Sequence, residues 1–97
     1  MKPVILSADG PSKVYLVPDR VADNLEEWCW TFCSIWLPSA PEAAKYRVNN
    51  GLCYNEDDFI EYLNAVEFPE EPSMLVEQTD WNTPIPEIYA GCPRFDF

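Results

Sequence analysis

Apolar residues recur at alternating steps of four and three through the first third of the chain. Val21, Leu25, Trp28, Phe32 and Ile35 share one face of a helix predicted over Val21–Leu37. Cys29, Trp30, Cys33, Trp36 and Leu37 fill the flanks, so the second half of this helix is apolar almost all round. A helix without a polar side belongs in the middle of a domain or under a partner. It is also too short, and with Asp23, Glu26 and Glu27 too charged, to span a bilayer, which takes about 20 apolar residues. The pattern predicts a central core helix that the rest of the chain covers.

The flanking pattern changes period. Lys2–Ser7 and Lys13–Val17 carry the β-rich runs Val4-Ile5-Leu6 and Val14-Tyr15-Leu16-Val17 around Ala8-Asp9-Gly10-Pro11-Ser12, which is turn chemistry, so a β-hairpin is predicted. Pro18 ends its second strand, and Asp19 suits the N-cap of the central helix. Asp23 with Glu26 is a rival, later start that resembles a capping box. Pro38 stops the helix, and Ser39 with Glu42 predicts a second short helix through about Tyr46. Asn50-Gly51 supplies a tight turn within Val48–Tyr54. Asn55 caps a third helix, Glu56–Val66, with Phe59, Leu63 and Val66 as its apolar stripe and Ile60 and Tyr62 beside it. Phe68–Pro72 is an acidic connector, and Ser73–Thr79 reads as a strand. Pro86–Ala90 fits one helical turn with Gly91 at C′, and Phe95-Asp96-Phe97 is aromatic enough to pack back on the body.

Together these elements predict an α+β fold in one domain over residues 1–97. A small antiparallel sheet, made of the N-terminal hairpin plus later strands, packs on the central apolar helix and one or two further helices. A second subunit could finish the apolar helix as well as the sheet could, so a homo-oligomer is compatible with the pattern.

Charge changes the picture more than composition does. The hydrophobic content of 47 % and the four Trp, five Tyr and five Phe are ample for a core and argue against disorder. The formal net charge of −11 is large for a small domain. Residues 1–55 hold six acids and five bases, whereas residues 56–97 hold eleven acids and one base, Arg94. Such a field repels nucleic acid and anionic membranes and attracts cationic proteins. Direct nucleic-acid or membrane binding is not expected. The N-terminus lacks the long apolar run of a secretory signal, which predicts a cytoplasmic setting with reduced cysteines.

The chain contains no histidine, which removes Ser-His-Asp and Cys-His catalysis and imidazole metal sites. No glycine-rich phosphate loop is present, and there are only three glycines. Cys29 and Cys33 are one helical turn apart, but Cys53 and Cys92 do not form the second closely spaced pair of a structural zinc site. Packing as small hydrophobes fits them better than metal or redox chemistry. The expectation is a non-enzymatic protein with no metal and no cofactor.

The acids offer the positive evidence. Glu56, Asp57 and Asp58 suit the first turn of the third helix, where N–H groups favour negative charge, and the run fails as a calcium loop. Glu61, Glu67, Glu70 and Glu71 have no nearby base in sequence. Solubility is one account of this density. Mimicry is the other, because a domain presenting carboxylates as DNA presents phosphates can occupy the Lys/Arg channel of a nuclease or DNA-binding protein. The candidate binding face is therefore Glu56, Asp57, Asp58, Glu61, Glu67, Glu70 and Glu71, with Tyr62, Phe68 and Trp81 as aromatic anchors. The alternative is an adaptor or immunity-type module that binds through an aromatic and apolar surface.

The runs Lys13-Val-Tyr-Leu-Val-Pro-Asp-Arg-Val-Ala-Asp-Asn-Leu-Glu, Gly51-Leu-Cys-Tyr-Asn-Glu-Asp-Asp-Phe-Ile-Glu-Tyr-Leu-Asn and Cys92-Pro-Arg-Phe-Asp-Phe resemble small acidic proteins of clostridial-type bacteria and their mobile elements. The resemblance covers residues 13–97 and transfers no site residue. It implies a setting in which small acidic proteins inhibit host defence, as anti-CRISPR and anti-restriction proteins do.

Overall fold

The computed structural model describes residues 1–8, 10–49, 51–80 and 84–97. Strands β1 (Lys2–Ser7) and β2 (Lys13–Val17) form the predicted antiparallel hairpin, with Val4 opposite Tyr15 and Ile5 opposite Val14. Asp9, within the predicted turn, lies outside the described residues. Because side chains alternate across a strand, Val4, Leu6, Tyr15 and Val17 enter the main core, while Ile5 and Val14 are buried on the other face.

The helical segment after Pro18 starts twice, but on neither expected cap: Pro18 and Asn24 hold the cap positions, without side-chain cap bonds, in place of Asp19 and the Asp23–Glu26 capping box. Helix α1 (Asp19–Asp23) begins with Asp19 inside its first turn, so the cap position belongs to Pro18 and not to Asp19. The chain breaks at Asn24 (φ −136°, ψ 39°) and resumes as α2 (Leu25–Thr31). A π-turn, Phe32–Trp36, and a final turn, α3 (Leu37–Ser39), follow. Pro38 therefore does not stop the helix. The Leu37 N–H reaches back five residues to the Phe32 carbonyl, and the next bond is Ala40 N–H to Trp36 C=O at 2.9 Å. The donor that proline lacks falls between the two. The same π-turn removes Ile35 from the predicted buried face, leaving it exposed with Trp30 and Ser34.

Ser39, expected as a cap, instead bonds through its hydroxyl to the Ile35 carbonyl, and the next element is a 3-10 turn, Pro41–Tyr46, with Ala40 at its N-cap. Strands β3 (Arg47–Val48) and β4 (Gly51–Leu52) pair as a minimal hairpin. The positive φ is at Asn49 (50°), and Gly51 sits in the strand, so the turn falls one residue earlier than Asn-Gly implied. Asn50 itself is outside the described residues.

Helix α4 (Glu56–Tyr62) has the expected Asn55 cap and runs into a second π-turn, Leu63–Glu67. The Phe68 N–H reaches the Leu63 carbonyl at 2.7 Å, five residues back where an α-helical bond spans four, so the turn holds more residues than an α-helical one. Phe59, Ile60, Tyr62 and Leu63 are buried, but the wider turn swings Val66 out to solvent. Strand β5 (Met74–Gln78) pairs antiparallel with β2 through a bulge opposite Val14 and Tyr15. After a 3-10 turn, Glu87–Tyr89, strand β6 (Arg94–Asp96) lies parallel to β1.

The result is an α+β globule with a four-stranded sheet in the order β5-β2-β1-β6. It is antiparallel through the first three positions and is closed by a parallel strand. Phe32 is the hub of the core, with Trp36, Tyr54, Phe59, Tyr62 and Phe97 within 6.1 Å between ring centres. Phe95 and Phe97 pack back on the body as their composition predicts.

Candidate functional site

The acids at the start of α4 are brought together, and then used internally. Asn55 and Asp58 complete a reciprocal capping box: the Asp58 N–H donates to Asn55 Oδ1 at 3.2 Å, and the Asn55 N–H to Asp58 Oδ2 at 2.8 Å. Glu56 is buried, with Oε1 3.0 Å from Lys13 Nζ. Asp57 Oδ2 is also 3.0 Å from Lys13 Nζ, and the Tyr15 hydroxyl donates to Asp57 Oδ1. Burial works against the charge on Asp57, yet the Tyr15 hydroxyl and the Lys13 ammonium together hold its carboxyl below the usual range. Burial likewise opposes the charge on Lys13, while Asp57 and Glu56 push its pKa up. Burial, then Asp57, drives the Tyr15 phenol strongly upward. Glu56 and Asp57 thus fasten the hairpin to α4, while Asp58 closes its cap. Glu61, one turn on, accepts from the Tyr46 hydroxyl at 3.1 Å and faces Lys45 Nζ at 3.4 Å.

Glu67, Glu70 and Glu71 are placed differently. All three are exposed and make no ion pair. The chain around them is held: Phe68 meets Trp28 edge-to-face at 5.3 Å, Arg20 lies 5.5 Å over its ring, and the Glu71 N–H bonds the Phe68 carbonyl at 3.1 Å. That bond closes a turn over residues 68–71, stiffened by Pro69 and followed by Pro72, which carries Glu70 and Glu71, while Glu67 ends the π-turn just before it. Glu71 further shares a surface cleft of about 370 Å³ with Asp19, Arg20 and Asp23. Neither aspartate was singled out from the sequence, where both look like helix-start residues. Their proximity to Glu71 depends on how the connector folds back, which no local pattern reports.

The cations are accounted for. Lys2 pairs with Asp23, Lys13 with Glu56 and Asp57, Lys45 with Glu61, and Arg94 with Asp96. Arg47 donates to the Leu37 and Ala40 carbonyls, and Arg20 lies over Phe68. Among the described residues none of these cations is within ion-pair distance of Glu67, Glu70 or Glu71, and Arg20, which shares the cleft with Glu71, is the cation nearest to this group in the fold.

Of the expected aromatic anchors, Tyr62 is buried against Trp36 and Phe32, and its phenol is pushed up to about 12 by burial and then by Glu67. Phe68 is half-buried, and Trp81 lies outside the described residues. Among the described residues the large exposed aromatic is Trp30, 57 % accessible, with Ile35 at 50 % farther along the same helical segment. Its place in an all-apolar segment was a signal that something other than the sheet faces it.

Cys29 is fully buried, which raises its thiol pKa strongly, and Cys33 is half-buried and also raised. Among the described residues, no three Cys, Asp or Glu side chains are grouped to hold a metal ion, and no helix is long and apolar enough to cross a membrane. Comparison of the chain with protein-family models, with curated proteins and with solved structures finds no match in any of the three.

Proposed function

We propose that the protein is a non-enzymatic inhibitor that docks an acidic face on a basic, nucleic-acid-handling protein, as a nucleic-acid mimic does. The observation that carries this reading is that Glu67, at the end of a π-turn, and Glu70 and Glu71, on the turn that follows, are exposed and make no ion pair among the described residues. Carboxylates fixed before binding lose little entropy when a cationic groove closes over them. The face therefore centres on these residues with Glu61 at its margin, while Glu56, Asp57 and Asp58 hold the scaffold. The likeness to small acidic proteins of mobile elements supports an anti-CRISPR or anti-restriction setting in the cytoplasm.

The test is capture from a bacterial lysate at low and high salt, followed by competition with duplex DNA. A basic nuclease or DNA-binding protein that leaves with salt and is displaced by DNA supports the reading. The triple variant Glu67→Lys, Glu70→Lys, Glu71→Lys is expected to weaken that complex by more than about tenfold. Unchanged binding by this variant sinks the proposal.

A second reading, an adaptor module, is favoured by exposed Trp30 and Ile35. It expects a complex that survives high salt and is lost on Trp30→Ala.

A further inference from the structure

Strand β5 is an outer strand of the sheet, with β2 on one side and, among the described residues, no strand on the other. Edge strands are normally blunted by lysine, proline or cover. Within Met74–Gln78 there is neither lysine nor proline, and Met74, Leu75 and Val76 are 54 %, 46 % and 38 % exposed. The bulge at Val76 bends the strand without covering it.

Beside this edge runs a groove of about 490 Å³ between β5 and α4, lined by Ile60, Asn64, Ala65, Ser73 and Leu75. Asn64 closes its upper end. Its amide donates to the Ser73 carbonyl at 3.1 Å and accepts from the Ser73 N–H at 2.6 Å, imitating the strand that is missing there. The Ser73 hydroxyl is buried and has no hydrogen-bond partner among the described residues.

We infer that the free edge of β5 is a strand-docking edge, completed by an extended basic segment of the partner that adds as a fifth strand. This rests on the acidic-face reading and names how that face is engaged. Charge selects the occupant. Glu77 lies on the strand and Glu70 and Glu71 precede it, with no ion pair among the described residues, while Asp57 and Glu61, which line the groove, balance Lys13 and Lys45. A second copy would bring another −11 to the same edge, so pairing of two β5 strands is opposed by repulsion. Main-chain hydrogen bonds would supply affinity, and alternate lysines would meet the carboxylates.

Thr79 N–H bonds the Ser12 carbonyl at 3.2 Å, and Gln78 is the next residue back, opposite Lys13. Alternation in an antiparallel ladder then turns the Gln78 N–H to the free side. The experiment titrates the protein with a short peptide alternating lysine and valine, followed by amide NMR and hydrogen exchange. A second peptide of the same sequence carries an N-methyl group on every residue, so that neither of its edges offers an N–H to the ladder. The expected result is protection of the Gln78 amide by the first peptide and affinity lower by more than about tenfold for the second. Leu75→Lys, which leaves the β2 ladder intact, is expected to weaken the first peptide similarly with an unchanged thermal melt.

Equal binding of both peptides, sensitive to Glu67→Lys, Glu70→Lys, Glu71→Lys, overturns strand docking and leaves the acidic face standing. Binding of neither peptide at low salt overturns both.

Discussion

Lys13 joins the hairpin to the start of α4, since one ammonium serves Glu56 and Asp57 at 3.0 Å each. Glu56 is buried, so removing its counter-charge leaves an unpaired carboxylate out of water. Lys13→Met is expected to destabilise the fold by about 2–4 kcal/mol in urea unfolding, and the double change Lys13→Met, Glu56→Met to recover most of that loss. Asp57 adds a pH dependence of definite sign. Its folded pKa is depressed, so its contribution is present above its unfolded value of about 3.9 and fades as pH falls through the folded one. Lys13 is raised, so its share holds below about pH 10.4 and fades as pH climbs past the folded value. The urea midpoint should therefore drop below about pH 4, and Asp57→Asn should flatten that acid limb. At this scale the sequence was half legible. The Asn55 cap and the acids of the first turn could be read because a cap is a local device. The attachment to Lys13 could not, because it joins residues 43 or 44 positions apart that only the packed fold brings together.

Elements with strong local signals, the hairpin, α4 and β5, lie where hydrophobic periodicity puts them. The departures come from the two π-turns, which add a residue to a helical turn and rotate everything after it. A periodic reading assumes a constant step, so it kept Ile35 and Val66 on buried faces from which the wider turns remove them. This makes the first π-turn testable. Deleting exposed Ser34 converts the five-residue reach from Phe32 to Leu37 into an ordinary α-helical one, keeping both anchors stacked. The deletion variant is expected to remain folded by circular dichroism and amide NMR. Deleting Glu27 from α2 instead turns the following residues by roughly 100° and should abolish the cooperative melt.

Across the whole molecule, charge is divided by position. Residues 56–97 carry eleven of the seventeen acids, and the chain's cations are largely spent inside the fold. The isolated protein should therefore gain thermal stability as salt screens self-repulsion, by a few degrees between low and physiological ionic strength, while its complex weakens over the same range. Opposite salt responses for the free and bound protein, from calorimetry and from binding titration, check this. Charge imbalance was visible in the composition alone. Which carboxylates remain available was not, because that depends on where each Lys and Arg is committed.

The parallel pairing of β6 with β1 has a consequence for synthesis. One flank of β1 is satisfied as soon as β2 follows it, but the other waits for Arg94–Asp96. At ribosomal speeds of about 5–20 residues per second, that flank stays open for roughly 4–17 s of translation. A nascent chain stalled before Arg94 should therefore be open to proteases and to trigger-type chaperones along β1. Emergence of Arg94–Asp96 would then act as the step that closes this flank of the sheet.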